Sequence, residues 1–192
     1  MIAVTQPLPS EFCSEQLEQL FNVCFAAAYR TCLSGGAQEP LYQPAQSPTE
    51  LHRLYYRQDF FASALHEISH WCIAGSERRK HLDFGYWYAP DGRTAKQQAA
   101  FEQVEAAPQA LEYFFARACG FVFRVSIDNL EAGPVSPEGS APFREAIYHH
   151  CGELQRLGLA PRAKRFYGEL SRHFGICQDP AQLVIHRSDF DQ

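Results

Sequence analysis

FASALHEISHWCIAG, residues 61–75, is nearly apolar all round a helical wheel, with Phe60 ahead of it and Phe61, Ala64, Leu65, Ile68, Trp71, Cys72 and Ile73 within it. A helix of that kind is buried, and the spacing predicts one over residues 58–74 that stops near Gly75. Into that interior it carries His66, Glu67 and His70. Residues four apart on a helix lie one turn apart on the same face, so the two imidazoles can converge on a single ion. A cation would also supply the partners that buried polar groups need. The plainer alternative is a pair of interior or surface histidines on an ordinary helix, because an H-E-x-x-H pattern also arises by chance.

Working outward, residues 14–30 set Leu17, Leu20, Phe21, Cys24 and Ala28 on one face and predict an amphipathic first helix. The Gly, Pro and Ser of residues 33–50 predict a loop with one short extended piece at Leu41 and Tyr42. HLDFGYWYAPDGR, residues 81–93, reads as a strand or extended loop closed by a Pro90-Asp91-Gly92 turn. From Thr94 to Ala118, Phe101, Val104, Leu111, Phe114 and Ala118 keep helical spacing, with Pro108 expected to kink or restart the helix. Phe121, Phe123, Val125 and Ile127 then alternate against Val122, Arg124 and Ser126, the period of a half-buried strand over 121–130. A Gly- and Pro-rich loop over 132–142 precedes two more helices, 143–157 and 162–174, with Pro161 suited to a first turn and Gly175 to a cap. The expected fold is α+β: residues 1–192 as one mostly helical domain with a few short strands and a zincin-like HExxH helix.

With 192 residues of which 46% are hydrophobic, the chain can build a core without disulfides. A formal charge of −5 speaks against holding phosphate backbones by bulk electrostatics, so no nucleic acid is expected as a direct partner. Seven scattered cysteines without a C-x-x-C pair, most of them among apolar neighbours, read as buried thiols of a reducing compartment. No basic leader and no span-length apolar window is present, so a cytoplasmic protein without a membrane partner is expected.

A functional ion needs a third protein ligand and an open position. FEQVEAAPQALEYFF, residues 101–115, offers Glu102, Glu105 and Glu112. Glu105 ranks modestly first: it adjoins apolar Val104, precedes Pro108, and is followed by small Ala106 and Ala107 that permit a neighbouring helix to approach. Glu102 and Glu112 are expected to face solvent or to support a ligand from behind. His81, Asp83, Asp91 and Asp128 sit among aromatic or β-prone neighbours, where a carboxylate could orient a histidine or meet a cationic substrate. His149 and His150, and the basic run in APRAKRFYGELSR, read as exposed helix surface.

Four blocks, FFASALHEISHWCIAG, DFGYWYAPDGR, FEQVEAAPQAL and VSIDNLE, occur in an order that resembles the elongation factor P hydroxylase family, with the resemblance strongest over residues 15–130. It implies a cytoplasmic metal-dependent oxygenase that uses molecular oxygen to hydroxylate a lysine of elongation factor P after that lysine has received a β-lysyl extension. It also implies His66, His70 and Glu105 as the metal ligands. Two histidines and a carboxylate with open positions are the ligand set of non-haem Fe(II) oxygenases, so the ion implied is Fe(II). No pair of residues suggests itself for a 2-oxoglutarate cosubstrate. In this reading Glu67 supports the chemistry by moving a proton, while Tyr86, Trp87, Tyr88, Asp91 and Asp128 form an aromatic and acidic mouth for the cationic side chain.

Two rival readings use the same residues. In a zinc metallopeptidase Glu67 would deprotonate a metal-bound water. In a noncatalytic binding module the ion would be a structural clamp closed by a fourth ligand, with Cys72 or His81 as candidates.

Overall fold

The computed structural model describes residues 12–84, 94–127 and 137–191. Helix α1 (Ser14–Tyr29) buries Leu17, Phe21 and Cys24 of the expected face, together with Phe25, while Leu20 is half-buried and Ala28 is exposed. It ends at Arg30, a non-glycine residue in the left-handed region at φ 49°. The Arg30 guanidinium accounts for that conformation in part, since it donates to the carbonyls of Ser47, Pro48 and Glu50 and is thereby tied to the loop ahead.

Strands β1 (Thr31–Ala37), β2 (Leu41–Gln43) and β3 (His52–Arg57) form a sheet in the order β1-β3-β2, with β1 parallel and β2 antiparallel to β3. The expected loop over 33–50 is therefore corrected for its first residues, which pair along β3. Leu33, Leu54 and Tyr56 face the core from this sheet, and Tyr56 donates to Glu18 of α1 at 2.9 Å. Gly35 is required here: a Cβ on it would stand 2.6 Å from the Tyr56 hydroxyl and 2.8 Å from the Gln58 carbonyl oxygen. Within residues 81–84 the extended expectation reduces to one bridge, Asp83 with Tyr42.

Helix α2 (Phe61–Ile73) carries the HExxH segment. Gly75 is not its cap. Ala74 ends the helix, and Arg162 donates to the carbonyls of Cys72 and Ala74, placing a cation at the negative end of the helix dipole. One face of α2 packs on an aromatic core in which Trp71 lies 4.7 Å from Phe25 and 5.0 Å from Phe21, ring centre to ring centre. Its other face meets α3 (Ala95–Cys119), which begins with a Thr94/Gln97 capping box and ends at Gly120 with φ 74°. Pro108 does not restart this helix. The donor it lacks would have served Val104, which is 51% exposed and so within reach of water.

After α3 the alternation of residues 121–127 does bury Phe123 and expose Arg124, but no strand forms there. The side-chain amide of Gln109 takes the place of a neighbouring strand. Its Nε2 donates to the Ser126 carbonyl at 2.7 Å and its Oε1 accepts from the Ser126 N–H at 3.0 Å. Helix α4 (Pro137–Leu157) starts earlier than the expected 143, and α5 (Pro161–Phe174) has its proline at the first turn and Gly175 as left-handed cap. The fold is thus a mostly helical α+β arrangement in which α3 is the central element, packed by α2, α4 and α5. No helix among the described residues is long and apolar enough to cross a membrane.

Candidate metal centre

The site is built where α2 crosses α3. His66 and His70 point from one face of α2 toward Glu105, and His66 Nε2, His70 Nε2 and Glu105 Oε2 converge with separations of 3.1 Å (His–His), 3.1 Å (His70–Glu105) and 3.4 Å (His66–Glu105). Three ligand atoms about 2.1 Å from a shared ion lie roughly 3.0 Å apart at right angles and roughly 3.4 Å apart at tetrahedral angles. The donor set therefore fits a divalent ion in distance as well as in chemistry, since imidazole and carboxylate suit first-row metals.

Glu112 completes the arrangement. It stands seven residues, two turns, after Glu105 on the same side of α3, and its carboxylate meets His66 Nδ1 at 2.8 Å. A neutral His66 that donates from Nδ1 must keep its lone pair on Nε2, the atom that faces His70 and Glu105. Of the two roles the sequence left open for Glu112, solvent or support from behind, it takes the second. The neighbouring Glu102 is half-buried and accepts from Gln98.

Electrostatics make the cluster cation-seeking. Glu67, Glu105 and Glu112 are all buried, and among the described residues no lysine or arginine pairs with any of them. Burial alone would push His66 down, yet the Glu105 and Glu112 carboxylates outweigh it and hold the imidazolium well above its usual range. Burial likewise opposes ionisation of Glu105, but the charge of His70 and hydrogen bonds from both histidines hold its carboxyl well below the usual carboxylate range. Glu67 is raised, chiefly by burial, with His66 and His70 pulling the other way.

The cluster opens into a cavity of about 380 Å³, walled by His66, Glu67, His70, Glu105 and Glu112 and by Phe60, Phe84, Arg57 and Arg124 farther out. Neither Cys72 nor His81 joins the cluster, so the fourth ligand that a closed structural clamp would need is not found among the described residues. Asp83 pairs with Arg78 instead of lining the centre. His149 and His150 lie outward on α4, pairing with Glu145 and Glu153. The expected mouth residues Tyr86, Trp87, Tyr88, Asp91 and Asp128 lie outside the described residues. Two contributors escaped the sequence reading, Gln109 and Arg162: the first shows no local pattern, and the second was read as part of a solvated basic face.

Fold and site together define a class: a helical α+β protein whose HExxH helix and its neighbour present two imidazoles and one carboxylate, suited to a divalent metal, at the floor of an open cavity. Residues 20–183 match the family model for elongation factor P hydroxylase. The chain is also 45% identical over 150 residues to the elongation factor P lysine hydroxylase of Haemophilus influenzae, an alignment covering 78% of this chain and 83% of that protein. It belongs to the elongation factor P hydroxylase family.

Proposed function

We propose that this chain is a non-haem Fe(II) hydroxylase that places one oxygen atom on a lysine of elongation factor P once that lysine carries a β-lysyl extension, with molecular oxygen as cosubstrate. The observation that carries the reading is the meeting of His66 Nε2, His70 Nε2 and Glu105 Oε2 at ligand spacing in a member of that family. These three residues would hold the ion, leaving positions open on the cavity side. An Fe(II) ion so held would supply the redox chemistry that zinc lacks, one atom of dioxygen entering the C–H bond and the other leaving as water with two protons and two electrons from an external reductant.

The protein's own residues do the rest. Glu112 holds the His66 ring in the tautomer that binds through Nε2. Glu67 is buried, lines the cavity beside both histidines and accepts no hydrogen bond from any described residue, so its oxygens are free to take or return a proton there. With Glu105 on the ion and Glu112 on His66, Glu67 is the buried carboxylate of the cluster left to face a cationic side chain. By sequence, Tyr86, Trp87, Tyr88, Asp91 and Asp128 add aromatic faces and carboxylates for the same ammonium groups. We read residues 1–192 as one domain, and a substrate from the translation machinery calls for a cytoplasmic protein.

The test is to load the protein with Fe(II) without oxygen, add β-lysylated elongation factor P, a reductant and labelled oxygen gas, and weigh the modified lysine by mass spectrometry. One labelled oxygen atom is expected, absent with zinc and absent from His66→Ala, His70→Ala and Glu105→Ala. Peptide cleavage by the zinc form, with no oxygen transfer by the iron form, would overturn the reading in favour of a peptidase.

A further inference from the structure

The cavity above the histidines changes character between floor and rim. Its floor holds three buried carboxylates, Glu67, Glu105 and Glu112, whereas its rim holds two exposed arginines, Arg57 at the end of β3 and Arg124 in the 121–127 segment. Neither guanidinium has a hydrogen bond or ion pair to a described residue. Beside them stand Phe60, 49% exposed, and Phe84, 43% exposed. Both arginines are held at the backbone by side chains from the helices below. The Arg57 N–H donates to Ser63 at 3.1 Å, and Arg124 lies between buried Phe123 and the Ser126 backbone that Gln109 grips from both sides.

Taken with the hydroxylase reading, on which this inference rests, the layering presents a conflict. A lysine bound for the cavity must pass these two arginines, which have no carboxylate partner among the described residues, and it enters more readily when negative charge arrives with it. A free amino acid or a short basic peptide brings at most its own terminal carboxylate. A folded protein with carboxylates around the target lysine brings more. Exposed phenylalanine beside arginine is also the composition that protein interfaces favour at their anchoring positions.

We propose that Arg57, Arg124, Phe60 and Phe84 form a docking surface for an acidic patch of the folded protein substrate around its target lysine. The rim reads the surrounding protein surface and the floor reads the lysine. A rim of two arginines favours a lysine in an acidic setting over one in a basic setting.

The test compares iron-loaded wild type with Arg57→Glu/Arg124→Glu in two separate measurements: affinity for modified elongation factor P by fluorescence anisotropy at several salt concentrations, and oxygen transfer kinetics. The double variant is expected to raise both Kd and KM about tenfold or more at low salt while kcat and iron content stay as in wild type. The difference should shrink at about 0.5 M salt, where exposed charges are screened. Arg156→Glu, an exposed arginine in the last turn of α4, serves as the control and should change neither constant. Should the double variant unfold, Arg57→Gln/Arg124→Gln removes the charge without reversing it and is expected to shift Kd in the same direction. Unchanged affinity with unchanged salt dependence overturns the docking surface, as does a fall in kcat at constant KM. If wild type binds in this salt- and arginine-dependent way yet transfers no oxygen, docking stands and the hydroxylase reading falls; if it does not bind the factor at all, both fall.

Discussion

Replacing Glu112 with alanine separates a residue that touches the metal from one that tunes its ligand. The carboxylate meets His66 Nδ1 at 2.8 Å, on the side of the ring away from Nε2, so a metal on Nε2 would leave that contact in place. A hydrogen bond to a charged group is worth about 1.5–3 kcal/mol, and loss of such a support behind a ligand histidine typically weakens metal binding about 10- to 100-fold. The full loss is expressed only where the metal-free His66 is neutral. At lower pH the metal displaces a proton from His66, and Glu112 stabilises that proton as well as the metal, being one of the two carboxylates that raise the imidazole.

Two curves of metal affinity against pH are therefore expected, and their shapes differ. In wild type, affinity climbs with pH until His66 has lost its proton, well above its ordinary 6.5. In Glu112→Ala the climb stops at lower pH, because one of the carboxylates that hold the proton is gone. The curves approach each other in mild acid and separate toward about 100-fold at alkaline pH. Competition with a chromophoric chelator for Co(II) or Zn(II) at a series of pH values measures this directly, without turnover. Parallel curves, or a variant that keeps both the wild-type affinity and the wild-type plateau, would refute the role drawn for Glu112.

Further outcomes follow from the same contacts. For the metal-free protein, a raised His66 stabilises the fold fully below its unfolded value near 6.5 and loses that contribution as pH rises through the folded value. A depressed Glu105 stabilises above its unfolded value near 4.5 and loses that contribution as pH falls. Thermal melts in chelator should thus peak between those two values, whereas saturating metal should abolish the alkaline decline; a decline that metal leaves intact speaks against these ligands. Gln109→Leu strips both hydrogen bonds from the Ser126 backbone and is expected to lower unfolding free energy by about 1–3 kcal/mol in a denaturant titration, while metal stoichiometry is retained. Thiol alkylation of the folded protein at neutral pH should label exposed Cys13 and Cys177 first and leave Cys24 unlabelled, because burial pushes the Cys24 thiol up to about 11; rapid labelling of Cys24 contradicts the packing described for α1.

What the sequence made legible was whatever depends on one element at a time. The buried HExxH helix, the paired histidines and the amphipathic α1 follow from periodicity, which each segment carries within itself. The choice among Glu102, Glu105 and Glu112 does not: Glu105 and Glu112, seven apart, lie on one face of α3, so only the crossing of α2 over α3 decides that the first meets both Nε2 atoms and the second meets Nδ1. Strands β1 and β3 went unread for a related reason. Gly35 and Gly36 depress strand preference in β1, and the ladder that holds it there belongs to residues 52–57, a partner supplied from about twenty positions away.

Residues 121–127 show the converse error. Their alternation is real, since burial rises and falls along them with period two around buried Phe123, yet no strand lies alongside. Alternation reports that one face of an extended segment is covered, and it is silent about what satisfies the backbone. Here a helix covers it, and a helix has no free main-chain groups to lend. The amide of Gln109 can serve in their place because it sets an N–H donor beside a carbonyl acceptor, as a strand's backbone does. A side chain that imitates a strand thus holds the backbone beside Arg124 at the cavity rim without adding a sheet edge.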